Sequence, residues 1–173
     1  MTLILNEAEV RQLLPMGDLV SAMERVLEQF STGQGIVQPL RSVLSVGAEQ
    51  AYYGVMPASL TDPPALGVKL VTNYSSNQAR NLPSHLATIV LLDPETGALT
   101  AILDGRYITE ARTAAVSAVA ARHLARRNGE PSKLAIIGSG AQARSHLTAF
   151  TETLSIGMVH IWSPSTAHRE QFA

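Results

Sequence analysis

The chain has 173 residues, of which 46% are hydrophobic and 16% charged, with a formal net charge of −1 and no cysteine. That is enough to bury a real core in one large domain, or in one domain and part of another. The charge balance argues against nucleic acid or an anionic membrane surface as main partner, and the lack of cysteine excludes disulfides and thiolate chemistry.

The N-terminal stretch MTLILNEAEV has acidic residues where a signal peptide needs a basic start. No apolar run approaches the ~20 residues of a membrane span, so a soluble, cytoplasmic protein is expected. Leu3-Ile4-Leu5 is a short run of strand type. Asn6 can cap a brief helix over Glu7–Leu14, closed by Pro15. A second helix is expected from Asp18 to Ser31, with Leu19, Met23, Val26, Leu27 and Phe30 as its apolar stripe and Gly33 and Gly35 ending it.

Five strands are expected next: Leu40–Val46, Ala51–Met56, Leu66–Tyr74, Ala87–Leu92 and Ala98–Leu103. The last two make a hairpin over Asp93-Pro94-Glu95-Thr96-Gly97, and the polar stretch SSNQARNLPSH before them reads as a mobile loop. Strands with few helices among them imply a mostly antiparallel sheet. Asp104–Arg127 is alanine-rich and strongly helix-forming. Asn128-Gly129-Glu130-Pro131 ends that helix and marks a domain boundary, with residues 1–130 before it and 131–173 after.

The stretch Lys133–Phe150, KLAIIGSGAQARSHLTAF, has the order strand, glycine turn, helix that the dinucleotide fingerprint requires. Gly138 makes the tight turn, Gly140 lets the backbone approach a pyrophosphate, and Ala143 takes the third position, where helix packs on strand. The phosphates would sit on the N–H groups at the helix N-terminus. Met158–Trp162 reads as the second strand of a βαβ unit, and Ala167–Ala173 as the start of another helix. A doubly wound domain needs two such halves and typically ~100–150 residues. The expectation is an α/β chain: an N-terminal α+β domain, then a truncated, parallel Rossmann domain.

Three cations stand out. Alternation sets Lys69 with Gly67, Val71 and Asn73 on one face of its strand, as its only charge. Helical spacing sets Arg112 beside Ile108, Val116 and Val119, where a buried charge must find an anion. Arg41 shares a strand face with Val43 and Ser45. Together they are candidates to surround a substrate carboxylate, Arg by its bidentate fork and Lys as a point charge. The bland alternatives are a solvated strand face for Lys69, an exposed edge for Arg41 and an internal ion pair for Arg112. His85, His123 and His146 read as structural or surface residues. Ser117 and Ser139 have no local base that marks them as nucleophiles. No cluster has metal-ligand spacing, so no metal site is expected.

Leu82–Ala121, LPSHLATIVLLDPETGALTAILDGRYITEARTAAVSAVAA, followed by GSGAQA, resembles the ornithine cyclodeaminase/mu-crystallin family, as do Gly54-Val55-Met56-Pro57 and Gly67-Val68-Lys69. The resemblance implies a substrate and dimerisation domain, a homodimer, and a Rossmann domain binding NAD(P). It implies carboxylate binding by Arg41, Lys69 and Arg112, with Lys69 and Arg112 catalytic and Met56 lining the pocket. Thr113, Gly138, Gly140, Ala141, Gln142 and Ser163 would contact the cofactor. The family's acidic residue for the substrate amine would fall beyond Ala173.

The implied chemistry is hydride transfer at the amine-bearing carbon of an amino or cyclic imino acid: ornithine to proline, or reduction of a ketimine such as pyrroline-2-carboxylate. The region Ile161–Thr166 lacks the acid expected of an NAD enzyme. Its hydroxyls, with Arg169 or His168 nearby, favour NADP. The competing readings are a non-catalytic ligand-binding protein of mu-crystallin type and an inactive, truncated chain.

Overall fold

The computed structural model describes residues 1–47, 51–126 and 128–172. Arg127 and Ala173, the expected ends of two helices, lie outside the described residues. The chain forms two compact units, one of Met1–Leu13 and Val26–Thr109, the other of Leu14–Arg25 and Glu110–Ala173. The boundary expected near residue 130 follows a turn sequence. The compact units divide inside two helices and at residues 13–14.

The first unit is built on a seven-stranded sheet of β1 (Leu3–Leu5), β2 (Ile36–Val37), β3 (Ser42–Val46), β4 (Ala51–Thr61), β5 (Pro64–Asn73), β6 (His85–Leu92) and β7 (Leu99–Asp104). Their order is β1-β7-β6-β5-β4-β2, with β3 also on β4. All pairs are antiparallel except β1 with β7. The mostly antiparallel expectation therefore holds.

β4 runs on past Met56, the expected end of this strand, and through Pro57 to Thr61. A proline removes a ladder donor, but β3 pairs only Ala51–Val55 and β2 only Ser59–Leu60. Pro57 falls in the gap between them and costs no hydrogen bond on that side. The polar stretch after β5 is ordered as a 3-10 helix over Ser75–Arg80, closed by Asn81 in the left-handed region (φ 55). The Asn77 amide donates to the Pro83 carbonyl and is buried. The hairpin between β6 and β7 is held by the Asp93 carboxylate, which accepts from the backbone N–H groups of Glu95 and Thr96.

In the same unit α1 (Glu7–Leu13) begins with a capping box: the Asn6 side chain accepts from Glu9 N–H while Glu9 accepts from Asn6 N–H. Glu7 accepts from Arg106 at 2.8 Å and from Arg11, whose guanidinium lies over the Tyr107 ring. The Arg106 hydrogen bonds hold the Glu7 carboxyl well below its usual 4.5, at about 2. A carboxyl depressed in the folded state stabilises it above the ordinary value, and that stabilisation disappears as pH falls through the folded one. Urea midpoints should therefore fall between pH 4.5 and about 2. Arg106→Ala should flatten that part of the profile, and an unchanged slope would count against the pairing.

The second unit takes residues 14–25, which include α2 (Met16–Ser31) as far as Arg25, and the greater part of α3 (Arg106–Leu124). It adds β8 (Ser132–Ile137), α4 (Ala141–Thr153), β9 (Ile156–Trp162) and α5 (Thr166–Phe172). β8 and β9 are parallel, with α4 as crossover. Met16, Leu19 and Val20 of α2 are buried. On α3 the fully buried residues are Ala111, Ala114, Ala115 and Ala118. Glu24 joins α2 to α3 through Arg122 and His123, both at 2.5 Å.

Candidate functional site

The turn after β8 has the geometry its glycines predict. Gly138 has φ 121, a conformation only glycine adopts without strain. Its N–H donates to the Trp162 carbonyl at 2.7 Å, tying the turn to the end of β9. Ser139 Oγ donates to Ser163 Oγ at 3.0 Å, bracing it a second time. Gly140 is the N-cap of α4, with ordinary extended backbone and no capping side chain. The N–H groups of Ala141, Gln142 and Ala143 have no acceptor within the helix. A Cβ built at Gly140 meets nothing within 4 Å.

Two grooves adjoin Gly140. One, of about 390 Å³, runs along β8 past Gly138, Gln142, Ala143, His146 and Phe150. The other, of about 440 Å³, is lined by Ser139, Gly140, Ala141, Arg144, His168 and Gln171. A glycine at positive φ, an uncapped helix end and open space above it fit a bound pyrophosphate.

The residues expected at the far end of the turn have other attachments. Ser163 is buried, with its hydroxyl on Ser139. Arg169 donates to the Ser163 carbonyl and to Thr166 Oγ1. His168 and Arg144, the latter not a candidate from sequence, are the basic side chains of the second groove.

In the first unit, β-register groups three candidates. Met56 pairs with Lys69, and Lys69 with Ile89. Ser42 pairs with Val55, so Arg41, one residue before β3, comes level with Met56. Arg41, Met56 and Lys69 thus share one row and one face, and Lys69 is half-buried. His85 lies on the same face two rows away, opposite Asn73.

On α3, Arg112 is half-buried and flanks the alanine stripe. The expected stripe of Ile108, Val116 and Val119 is only partly the buried one, so burial does not force an anion on Arg112. Thr113 is half-buried, and its carbonyl accepts from Ser117 Oγ. His146, expected at the surface, is half-buried and bonded to Ser117. Helical spacing alone could not show this contact, because its partner lies on another helix. Among the described residues no group of three or more His, Cys, Asp or Glu could hold a metal ion. Among the described residues no helix is long and apolar enough to cross a membrane.

A family model for the ornithine cyclodeaminase/mu-crystallin family matches residues 1–173. The chain belongs to that family. Rat ketimine reductase mu-crystallin is 41% identical over 157 residues, covering 90% of this chain and 50% of that protein. The solved Δ1-pyrroline-2-carboxylate reductase of Thermococcus litoralis, in complex with NADH and L-proline, is 35% identical with a TM-score of 0.91. It covers 99% of this chain and 52% of its own. An archaeal alanine dehydrogenase dimer with bound NAD is 32% identical, with a TM-score of 0.90, over 99% of this chain and 51% of its own. The chain thus spans about half the length of the family members it matches. The α/β fold with its Rossmann-type turn is the one shared with these structures.

Proposed function

We propose that the protein carrying this chain is an NAD(P)-dependent reductase of cyclic imino acids such as pyrroline-2-carboxylate. Conversion of ornithine to proline is the neighbouring reaction at the same amine-bearing carbon. The observation that carries the reading is the open space at Gly140 above the uncapped α4 N-terminus. Similarity to reductases that act on such substrates supports it.

In this reading Gly138 and Gly140 shape the turn, and the N–H groups of Ala141 and Gln142 receive the phosphates. Ser163 acts through Ser139, and Thr113 contacts the cofactor. A bound reduced nicotinamide supplies the hydride. Arg41, Lys69 and Arg112 bind the substrate carboxylate, and Met56 lines the pocket. Positioning of this kind converts a bimolecular encounter into a unimolecular step. Lys69 and Arg112 are the catalytic pair, because they set the orientation of the reacting carbon.

NADP is favoured over NAD. The stretch Ile161–Thr166 has no acid to meet a ribose 2′-hydroxyl, and Arg144 and His168 give the second groove basic but no acidic side chains. A homodimer through the sheet is part of the reading. Ile4, Leu44 and Leu86 share a face by register and are exposed. The location proposed is the cytoplasm.

Fluorescence titration should give tighter binding of NADPH than of NADH, and the reverse order would reject the NADP assignment. NADPH should be turned over with pyrroline-2-carboxylate by the protein carrying this chain. Binding of cofactor and substrate without turnover would replace the enzyme with a ligand-binding protein.

A further inference from the structure

We propose that Ser117 and His146 form one positioning pair, which registers the α3 turn bearing Arg112 and Thr113 against the first turn of the cofactor helix α4. The proposal rests on the cofactor reading above for its functional consequence. It rests on geometry for the link itself.

His146 Nδ1 lies 2.7 Å from the Gln142 carbonyl, and its Nε2 lies 3.1 Å from Ser117 Oγ. Ser117 Oγ lies 3.2 Å from the Thr113 carbonyl. A carbonyl only accepts, so Nδ1 carries a proton. In the neutral ring Nε2 then accepts from the Ser117 hydroxyl. In the doubly protonated ring Nε2 donates to Ser117 Oγ, whose own proton goes to Thr113. The link between the helices persists in both forms.

Each end of the link reaches back one turn on its own helix, from Ser117 to Thr113 and from His146 to Gln142. In the doubly protonated ring the two side chains therefore join two backbone carbonyls, one beside the substrate-side residues and one in the phosphate-binding turn; in the neutral ring the Ser117 proton goes to His146 and the join ends at the hydroxyl. The surrounding surface explains why a polar link matters. Ala114 and Ala118 flank Ser117 on α3, Ala149 lies one turn beyond His146 on α4, and all three are fully buried. Side chains this small offer few ridges to fix how far one helix slides along another. A hydrogen-bonded pair in such a surface specifies register. Phe150 lies beside the imidazole, with ring centroids 6.2 Å apart.

The arrangement differs from a nucleophile and its base. Ser117 sits mid-helix with the Thr113 carbonyl in reach of its hydroxyl, and the groove that reaches His146 does not include Ser117.

The test uses Ser117→Ala, His146→Ala, the double variant and His146→Gln, which keeps a group within reach of Ser117. In the protein carrying this chain each single alanine variant should lower kcat about tenfold and raise the NADPH Kd, with substrate KM little changed, because a small misplacement costs rate more than binding. The double variant should be no worse than either single one, since both break the same link, and His146→Gln should recover part of the loss. Ring nitrogen NMR on the wild type should show Nδ1 protonated, with the Nε2 signal shifting in Ser117→Ala. Additive losses, or an Nε2–H ring with a bare Nδ1, would overturn the pair. If the wild type binds neither NADPH nor NADH, the cofactor reading fails. The ring spectra and the additivity of urea midpoints still decide the pair.

Discussion

Gly140→Val should fold as the parent chain does and lose its dinucleotide. The backbone there is in the ordinary extended region, with φ −83 and ψ −170, which valine adopts readily. A Cβ meets no atom of the protein within 4 Å, so the side chain has room. That room is the space a pyrophosphate would take over the first N–H groups of α4. Hydrogen bonds to a charged group contribute roughly 1.5–3 kcal/mol each, so loss of one or two should weaken binding on the order of 100-fold or more. The check is an NADPH titration beside a urea melt of the same sample. An unchanged Kd would refute the fingerprint. Gly138→Val makes the contrasting control: at φ 121 a branched side chain is strained whatever the space, so that variant should lose stability as well.

Arg112→Ala should leave the fold intact and lower kcat/KM by about 10- to 100-fold, the cost of one charged, bidentate contact to a carboxylate. The fold is spared because Arg112 only flanks the buried stripe, and alanine is the best helix former. Arg112→Lys keeps the charge but not the fork and should fall between the two. The measurement is steady-state reduction of pyrroline-2-carboxylate by the protein carrying this chain. Unchanged kinetics would remove Arg112 from the site.

Local patterns made much of this fold legible. Alternation in Gly67, Lys69 and Val71 placed Lys69 on the correct strand face, and the order strand, GSG, helix located the turn. What escaped depends on partners distant in sequence. The strand from Ala51 was expected to end at Met56, yet β4 runs on through Pro57, because its neighbours on one side leave a gap at that position. The polar stretch after β5 looked mobile, yet the buried Asn77 amide holds it. Periodicity put Arg112 in an apolar stripe, yet on an alanine-rich helix it is the smallest side chains, Ala111, Ala114, Ala115 and Ala118, that face inward. Sequence treated His146 as a surface residue because its partner Ser117 lies on a different helix.

The division of the chain between its units bears on how it is made. The polypeptide passes from one unit to the other at residues 13–14, 25–26 and 109–110. β1 cannot pair until β7 exists, since Leu3 meets Ala101. Contacts so far apart in sequence are slow to form. A ribosome that has released only the first hundred residues therefore holds two unfinished halves. The Leu19–Val20 face of α2 is left waiting for helices not yet translated. In that interval the chain exposes apolar surface and an unpaired strand, the condition in which incomplete chains aggregate.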